Sequence, residues 1–299
     1  VRRELPESRS SRRLLPVVEK RLLTQLPPGM WIGGTIPYFV GQNGGTFSQD
    51  RLFVTELPGY ASAARVAHYD QISLASVYED GPDNGFSVVI IPGMSETHLA
   101  FALNAPDYPG FATRPLVGWI AGVDLGVLGK VNPKVVDGTS GQVLDNGAVV
   151  MHVTLPKGKT ADVGIINIFK PGAGDTLRFE KTGFAAKQVV VNGTKVEFAD
   201  YVAERQIDTK LPLVADYAGA MINISFQAVN SDTKEVVFYA PVFEGAEYRV
   251  AAPVGDYVSE FTSCVPDELA GTVVFSCNCI LNYLYSELEG KRTGQFVGP

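Results

Sequence analysis

The stretch "GFSVVIIPGMSETHLAFAL", Gly85 to Leu103, decides the fold class. Its apolar run up to Ile91 reads as a continuous strand, and Pro92-Gly93 breaks it. Ser95 then stands where a helix N-cap belongs, because its side-chain oxygen can accept an amide of the first turn. Leu99 and Leu103 follow on one helical face. Strand, turn and helix in that order predict an α/β unit.

Working outward, "KVVDGTSGQVLDNGAVVMHVTL" and "ADVGIINIF" add strands, with Asp145-Asn146-Gly147 as turn chemistry. "QVVVNGTKVEF" is the clearest hairpin, with Asn192-Gly193 at its tip. Asp200 to Ile207 reads as a short helix, after which "AMINISFQAV" and "EVVFYAPVF" form two strands linked by the polar Asn230 to Lys234. The middle of the chain is therefore largely antiparallel. Upstream, residues 1 to 13 are polar and arginine-rich. Pro16 opens a helix carrying Val17, Val18, Leu22, Leu23 and Leu26, and Pro27-Pro28 ends it. "GTIPYFVGQNGGTFSQDRLFVTEL" reads as a hairpin around a glycine-rich connection, and Tyr60 to Tyr69 as a helix.

The 299 residues are 45% apolar and 19% charged, enough for one large domain or two smaller ones. A net charge of −7 disfavours contact with phosphate backbones, so no nucleic-acid partner is expected. Three cysteines cannot all pair within one chain, and a reducing, cytoplasmic setting follows. No apolar run approaches the roughly 18 residues a membrane span needs, so no membrane insertion is expected. "SSRRLLPVV" resembles a twin-arginine export signal, but Glu19, Lys20 and Arg21 interrupt its apolar part, and export is rejected.

The reactive side chains concentrate in "GTVVFSCNCILNY", Gly271 to Tyr283. Thr272 to Ser276 reads as a strand and Cys277-Asn278-Cys279 as a tight turn. A helix then turns Ile280, Leu281, Leu284 and Leu288 inward and closes at Gly290. This repeats the strand-into-helix pattern of Gly85 to Leu103 and suggests an internal duplication. A strand end that opens a helix would stabilise a thiolate nucleophile. Against that, no histidine is near in sequence and the flanking glycines of a nucleophile elbow are absent. Zinc would need four ligands, two of them from distant Cys264 or from His68, His98 and His152. Packed thiols are the preferred reading.

His68 and His98 fall in helical candidates and His152 in a strand, each as an ordinary hydrogen-bonded histidine. "FKPGAGDTLRF" and "GVLGKV" lack phosphate-loop spacing and read as loops. The sequons at Asn192 and Asn223 read as coincidences. Tyr38, Trp119, Tyr217, Tyr239 and Tyr248 are candidates to line a pocket, though each is singly better explained as core.

"AGTVVFSCNC" resembles the phenylalanine-serine-cysteine strand end in the C-terminal half of FIST domains. "RPLVGWIAGVDLG" resembles the glycine-containing turn of their N-terminal half, and "VVFYAPVFEGAEYRVAAPV" is similar in character to the region joining the two. The resemblance spans roughly Gly85 to Pro299. It implies an intracellular sensory module that binds a small ligand, and in some relatives haem. Gly118 and Gly122 match the first turn, where glycine allows close backbone approach to a ligand. Ser276 and Cys277 match the strand end. The position after the cysteine turn lacks the family's usual glycine or arginine, and Gly298-Pro299 stops where the family continues into a final strand. No kinase, cyclase or helix-turn-helix pattern accompanies these segments, so the resemblance implies a separate signalling partner.

The expectation is thus a mixed α/β (α+β) protein of two related halves, with mixed, largely antiparallel sheets flanked by helices. The divisions are 1–30 (arm and helix), 31–185 (N-like half) and 186–299 (C-like half lacking its last strand). Its expected function is to bind a small-molecule ligand without transforming it, at Gly118, Trp119, Gly122, Tyr239, Ser276, Cys277, Asn278 and Cys279. A homo-oligomeric structural or assembly subunit is the alternative reading, and a cysteine-dependent enzyme the third. The basic arm with Arg2, Arg3, Arg12 and Arg13 is expected to join the helix after it in a homo-oligomer contact.

Overall fold

The computed structural model describes residues 13–17, 20–111, 113–217, 220–269, 271 and 273–299. The chain divides into two compact units: one runs to Gly164 and resumes over Asp267–Pro299, and the other is Ile165–Pro266. The cut drawn at residue 185 from the sequence passes inside a strand, Gly183–Ala186. The arm carrying Arg2, Arg3 and Arg12 lies outside the described residues, as does Val18.

The first unit begins with β1 (Leu14–Val17), α1 (Lys20–Leu23), β2 (Ile32–Gly34), the hairpin β3 (Tyr38–Gly41) and β4 (Gly44–Phe47), β5 (Phe53–Glu56) and β6 (Ala63–Tyr69). It continues through β7 (Gly85–Pro92), α2 (Glu96–Asn104), β8 (Leu116–Ala121), β9 (Val135–Asp137), β10 (Gln142–Leu144) and β11 (Ala148–Thr154). One sheet runs in the order β10-β9-β2-β1-β5 and a second in the order β6-β11-β7-β8. Only β1/β2 and β7/β8 are parallel in these two sheets. Strand β7 and helix α2 form the strand-turn-helix unit expected from Gly85 to Leu103, and the crossover continues beyond it into β8. Ser95 caps α2 by accepting the His98 amide at 3.1 Å. Leu99 is 40% exposed, and the one fully buried side chain of that helix is Thr97.

The two sheets face each other across Leu15, Val17, Ile32, Val88, Ile90, Trp119, Val149 and Met151. The other face of the second sheet buries Val89, Ile91 and Val150 against Leu74, Val77, Tyr78 and Tyr108. Strand β11 is thus covered on both faces and reads as a nearly continuous apolar run.

Three expected elements differ in this unit. Leu14–Val17 is a strand rather than the start of a helix, because Leu15 and Val17 fill the inter-sheet core while the backbone pairs with β5 and β2. Ala63–Tyr69 is a strand rather than a helix, since it pairs along its whole length with β11. Residues 273–276 form no strand, and Thr272 lies outside the described residues.

The second unit contains β12 (Leu177–Arg178), β13 (Gly183–Ala186), β14 (Gln188–Val191), β15 (Thr194–Glu197), α3 (Phe198–Glu204) and β16 (Leu213–Tyr217). β17 (Ala220–Ile224), β18 (Phe226–Asn230), β19 (Glu235–Val242), β20 (Glu247–Val250) and α4 (Tyr257–Ser263) complete it. Its sheets, β15-β14-β12-β20-β16-β17 and β13-β19-β18, are antiparallel throughout. The Asn192-Gly193 tip has φ of 47° and 87°, the left-handed pair that a two-residue hairpin turn requires. Phe179 sits at the centre of the core, with ring centroids 5.5 Å from Phe198 and 5.4 Å from Tyr248. The "ADVGIINIF" segment is not a strand: residues 161–169 pair with no neighbouring strand, and Ile165 is 77% exposed.

The chain then returns to the first unit with α5 (Ile280–Tyr285), which buries Leu281 and Tyr283. The last residues clamp the β3–β4 hairpin from both edges. Gly290 and Lys291 exchange backbone hydrogen bonds with Gly45 at 2.9 and 3.0 Å, and Gly298 exchanges two with Val40 at 2.8 and 2.9 Å. No helix among the described residues is long and apolar enough to cross a membrane.

Candidate functional site

Strand β8 and the cysteine loop meet in the first unit. The Cys277 thiol donates to the Gly118 carbonyl at 3.2 Å, joining residues 159 apart in the chain. One residue further along β8, the buried indole of Trp119 stacks on Phe275 with ring centroids 5.9 Å apart. Among the described residues, the Trp119 Nε1 has no hydrogen-bond partner.

The loop itself is held at three points. Ser276 Oγ donates to Val297 O at 2.9 Å, the Asn278 amide donates to Pro299 O at 2.8 Å, and Asn282 Nδ2 donates to Asn278 Oδ1 at 3.3 Å. Cys279 occupies the N-cap position of α5. The residues from Ser276 to Asn278 therefore run beside the chain's last residues, which in turn pair with β3.

Gly118 is required by the sheet rather than by a ligand. A Cβ there would meet the Val89 carbonyl oxygen at 1.8 Å, a distance no real side chain tolerates. Gly122 is under no such constraint, for a Cβ would find only Ile36 at 3.8 Å. Its amide donates to Thr35 O at 2.7 Å, which fixes the end of β8.

Cys277 and Cys279 are both exposed residues. Even so, surrounding protein pushes the Cys277 thiol up to about 11, with the neighbouring Cys279 adding to the effect. Cys279 is also raised by burial, although the amides of Leu281 and Asn282 oppose the shift. The two facts fit together when a side chain keeps one face to water while protein crowds the rest of it. Accessibility governs whether a reagent arrives; crowding governs whether it meets a thiolate. At neutral pH Cys277 is a thiol donating to a carbonyl, which is poor preparation for nucleophilic attack.

Six of the eight residues singled out from the sequence gather here: Gly118, Trp119, Ser276, Cys277, Asn278 and Cys279. Gly122 lies just past the end of that strand. Tyr239 belongs to the other unit, on β19, where its amide donates to Ser225 O at 3.0 Å. Of the other aromatic candidates, Tyr38 packs edge-on against Tyr283 at 5.6 Å, and the Tyr217 and Tyr248 hydroxyls pair at 2.5 Å in the second unit.

Sequence reasoning missed a buried polar chain in the first unit. His152, 2% exposed, lies 2.8 Å from Ser87 Oγ through Nδ1 and 2.8 Å from the Tyr69 hydroxyl through Nε2. Tyr69 donates onward to Asp80 Oδ2 at 2.9 Å, and Arg65 donates to the Asp80 carbonyl. The partners fix the polarity: because Tyr69 donates to Asp80, it accepts from Nε2–H, and Nδ1 accepts from Ser87. Burial holds His152 well below its ordinary value, at about 4. Ser87 is only 3% exposed, so this serine-histidine pair offers no approach to a substrate.

His68 lies on strand β6 rather than a helix and contacts Asp137 at 3.0 Å, while His98 accepts the Met94 amide on Nδ1 at 3.1 Å. Among the described residues no three histidine, cysteine or acidic side chains gather to hold a metal ion.

Compared with known proteins, residues 9–299 match the model of a family described as a family of unknown function, DUF6976. No curated protein and no solved structure matches the chain.

Proposed function

The chain belongs to this family of unknown function, and from its own geometry we propose that it is a non-catalytic, small-ligand-binding sensory protein of the FIST type. It works in the cytoplasm and passes its signal to a separate partner. The observation that carries this reading is the 3.2 Å contact between Cys277 and Gly118, since these residues come from the two segments that resemble the two FIST halves.

The electrostatics favour binding over catalysis. A thiol raised to about 11 that donates to a carbonyl offers a ligand a neutral, polarisable surface. The Asn278 and Cys279 side chains add polar contacts beside it.

A ligand that binds only the folded state raises the melting temperature by mass action. The test is a thermal-shift screen of metabolites on the full chain and on Cys277→Phe, a substitution that fills the space in front of Gly118. The reading expects at least one compound that shifts the wild type and not the variant. A broad screen with no shift for the wild type would move the assignment to a structural role.

A further inference from the structure

Away from the cysteine loop, we propose that Asn43 is a site of spontaneous modification, where the side-chain amide deamidates to give aspartate or isoaspartate at the tip of the β3–β4 hairpin. The sequence contains four asparagine-glycine pairs, at Asn43, Asn84, Asn146 and Asn192. In such a pair the glycine nitrogen, with no side chain beside it, can approach the preceding side-chain carbon closely. The sequence therefore makes the four equivalent, and the fold separates them.

Three of the four amides are held. Asn84 Nδ2 donates to Leu155 O at 3.1 Å and to Pro156 O at 3.2 Å. Asn146 Oδ1 accepts from the amide and the hydroxyl of Thr97 at 3.2 and 3.0 Å, and its Nδ2 donates to Glu96 at 3.3 Å. Asn192 Nδ2 donates to Asp175 at 2.7 Å while its Oδ1 accepts the Thr176 amide at 2.9 Å. Turning any of these side chains onto its own backbone breaks those bonds first, and each bond slows the turn by roughly fivefold. Asn43 is exposed in the two-residue connection between the paired Gly41 and Gly44, and among the described residues its side-chain amide has no such bond.

The step balances with water as the co-reactant. The Gly44 nitrogen gives its proton to solvent base and bonds to Asn43 Cγ; the bond from Cγ to Nδ2 breaks, and ammonia leaves with a proton from solvent. Water then opens the cyclic imide at one carbonyl or the other, giving aspartate or isoaspartate. Either product adds one negative charge, and isoaspartate also adds one carbon to the backbone just before Gly44. That position has no slack. A Cβ on Gly44 would lie 2.6 Å from Gly290 C and 2.7 Å from Gly290 O, and Gly45 exchanges backbone hydrogen bonds with Gly290 and Lys291 at 2.9 and 3.0 Å. The lengthened tip therefore weakens the clamp between the hairpin and the chain's last residues.

The test ages the full chain in warm, mildly alkaline buffer, both folded and in urea, and follows each asparagine by peptide mass spectrometry through its gain of one dalton. In the folded chain Asn43 is expected to convert at least roughly tenfold faster than Asn84, Asn146 and Asn192, and in urea the four rates converge. An Asn43 that stays intact in the folded chain while converting in urea overturns the proposal, as does any of the other three keeping pace with it when folded. The melting temperature supplies a second readout. Aged wild type is expected to melt lower than fresh protein, and Asn43→Gln, aged alongside, to melt as it did at the start. Equal losses in the two proteins would overturn the weakening of the clamp.

Discussion

Ser87 and His152 are joined by a 2.8 Å hydrogen bond across neighbouring strands β7 and β11, in a part of the first unit that water does not reach. The bond orients a histidine that must remain neutral for the fold to persist, and this gives the protein an acid limit. His152 titrates near 6.5 when unfolded and at about 4 in place, chiefly because burial disfavours its charged form. The stabilising difference is complete above the unfolded value and is lost as pH falls from there through about 4. Between neutral pH and pH 4 this residue alone removes about 3 kcal/mol. Urea melts of the wild type and His152→Gln at neutral pH and near pH 4 isolate it from the carboxylates. The variant is expected to lose less stability on acidification by about that amount; equal losses would refute the assignment.

Tyr69 carries the second prediction. Removing its hydroxyl strands the buried His152 Nε2–H and takes a donor from Asp80. Tyr69→Phe is therefore expected to cost about 1–3 kcal/mol, the penalty for a buried polar group left unpaired. Chemical denaturation checks it, and an unchanged midpoint would show that the chain of hydrogen bonds is unimportant to stability.

Gly118 is expected to tolerate no side chain. With Val89 O at 1.8 Å from the position of a Cβ, Gly118→Ala must push β8 away from β7. The expected cost is about 3 kcal/mol or failure to fold. Gly122→Ala, with only Ile36 in reach at 3.8 Å, is the matched control and is expected to melt close to the wild type. Comparable melting temperatures for the two variants would contradict the geometry.

The β7-α2 strand-turn-helix, the Asn192-Gly193 hairpin and the α3 helix were legible in the sequence because each is specified locally. A proline-glycine break, a serine cap and a turn dipeptide act over a few residues. Strands β1 and β6 were not legible. Leu14–Val17 is too short to display a period, and Ala63–Tyr69 becomes a strand only through β11, whose partners lie 79 to 91 positions away. The Ser87–His152–Tyr69–Asp80 chain has the same origin: its members face one another only once three strands are in register. The cysteine loop stood out as a motif. Its contact with Gly118 was not legible, because no spacing rule connects residues so far apart.

Cys277 is expected to react slowly despite its exposure. With the thiol raised to about 11, only about one molecule in ten thousand carries the thiolate at pH 7. Alkylation by iodoacetamide in the folded state, followed by peptide mass spectrometry, should proceed at least tenfold more slowly at Cys277 than for the same cysteine in the unfolded chain. Rapid, selective labelling of Cys277 would restore the nucleophile reading.

The central claim is that the junction of Cys277 with Gly118 binds a small ligand, and native mass spectrometry of the gently purified full chain tests it most directly. The account predicts a non-covalent mass above that of the polypeptide, released on denaturation and absent from Cys277→Phe. A bare polypeptide mass in every native preparation, together with a metabolite screen that leaves the melting temperature unmoved, would contradict it.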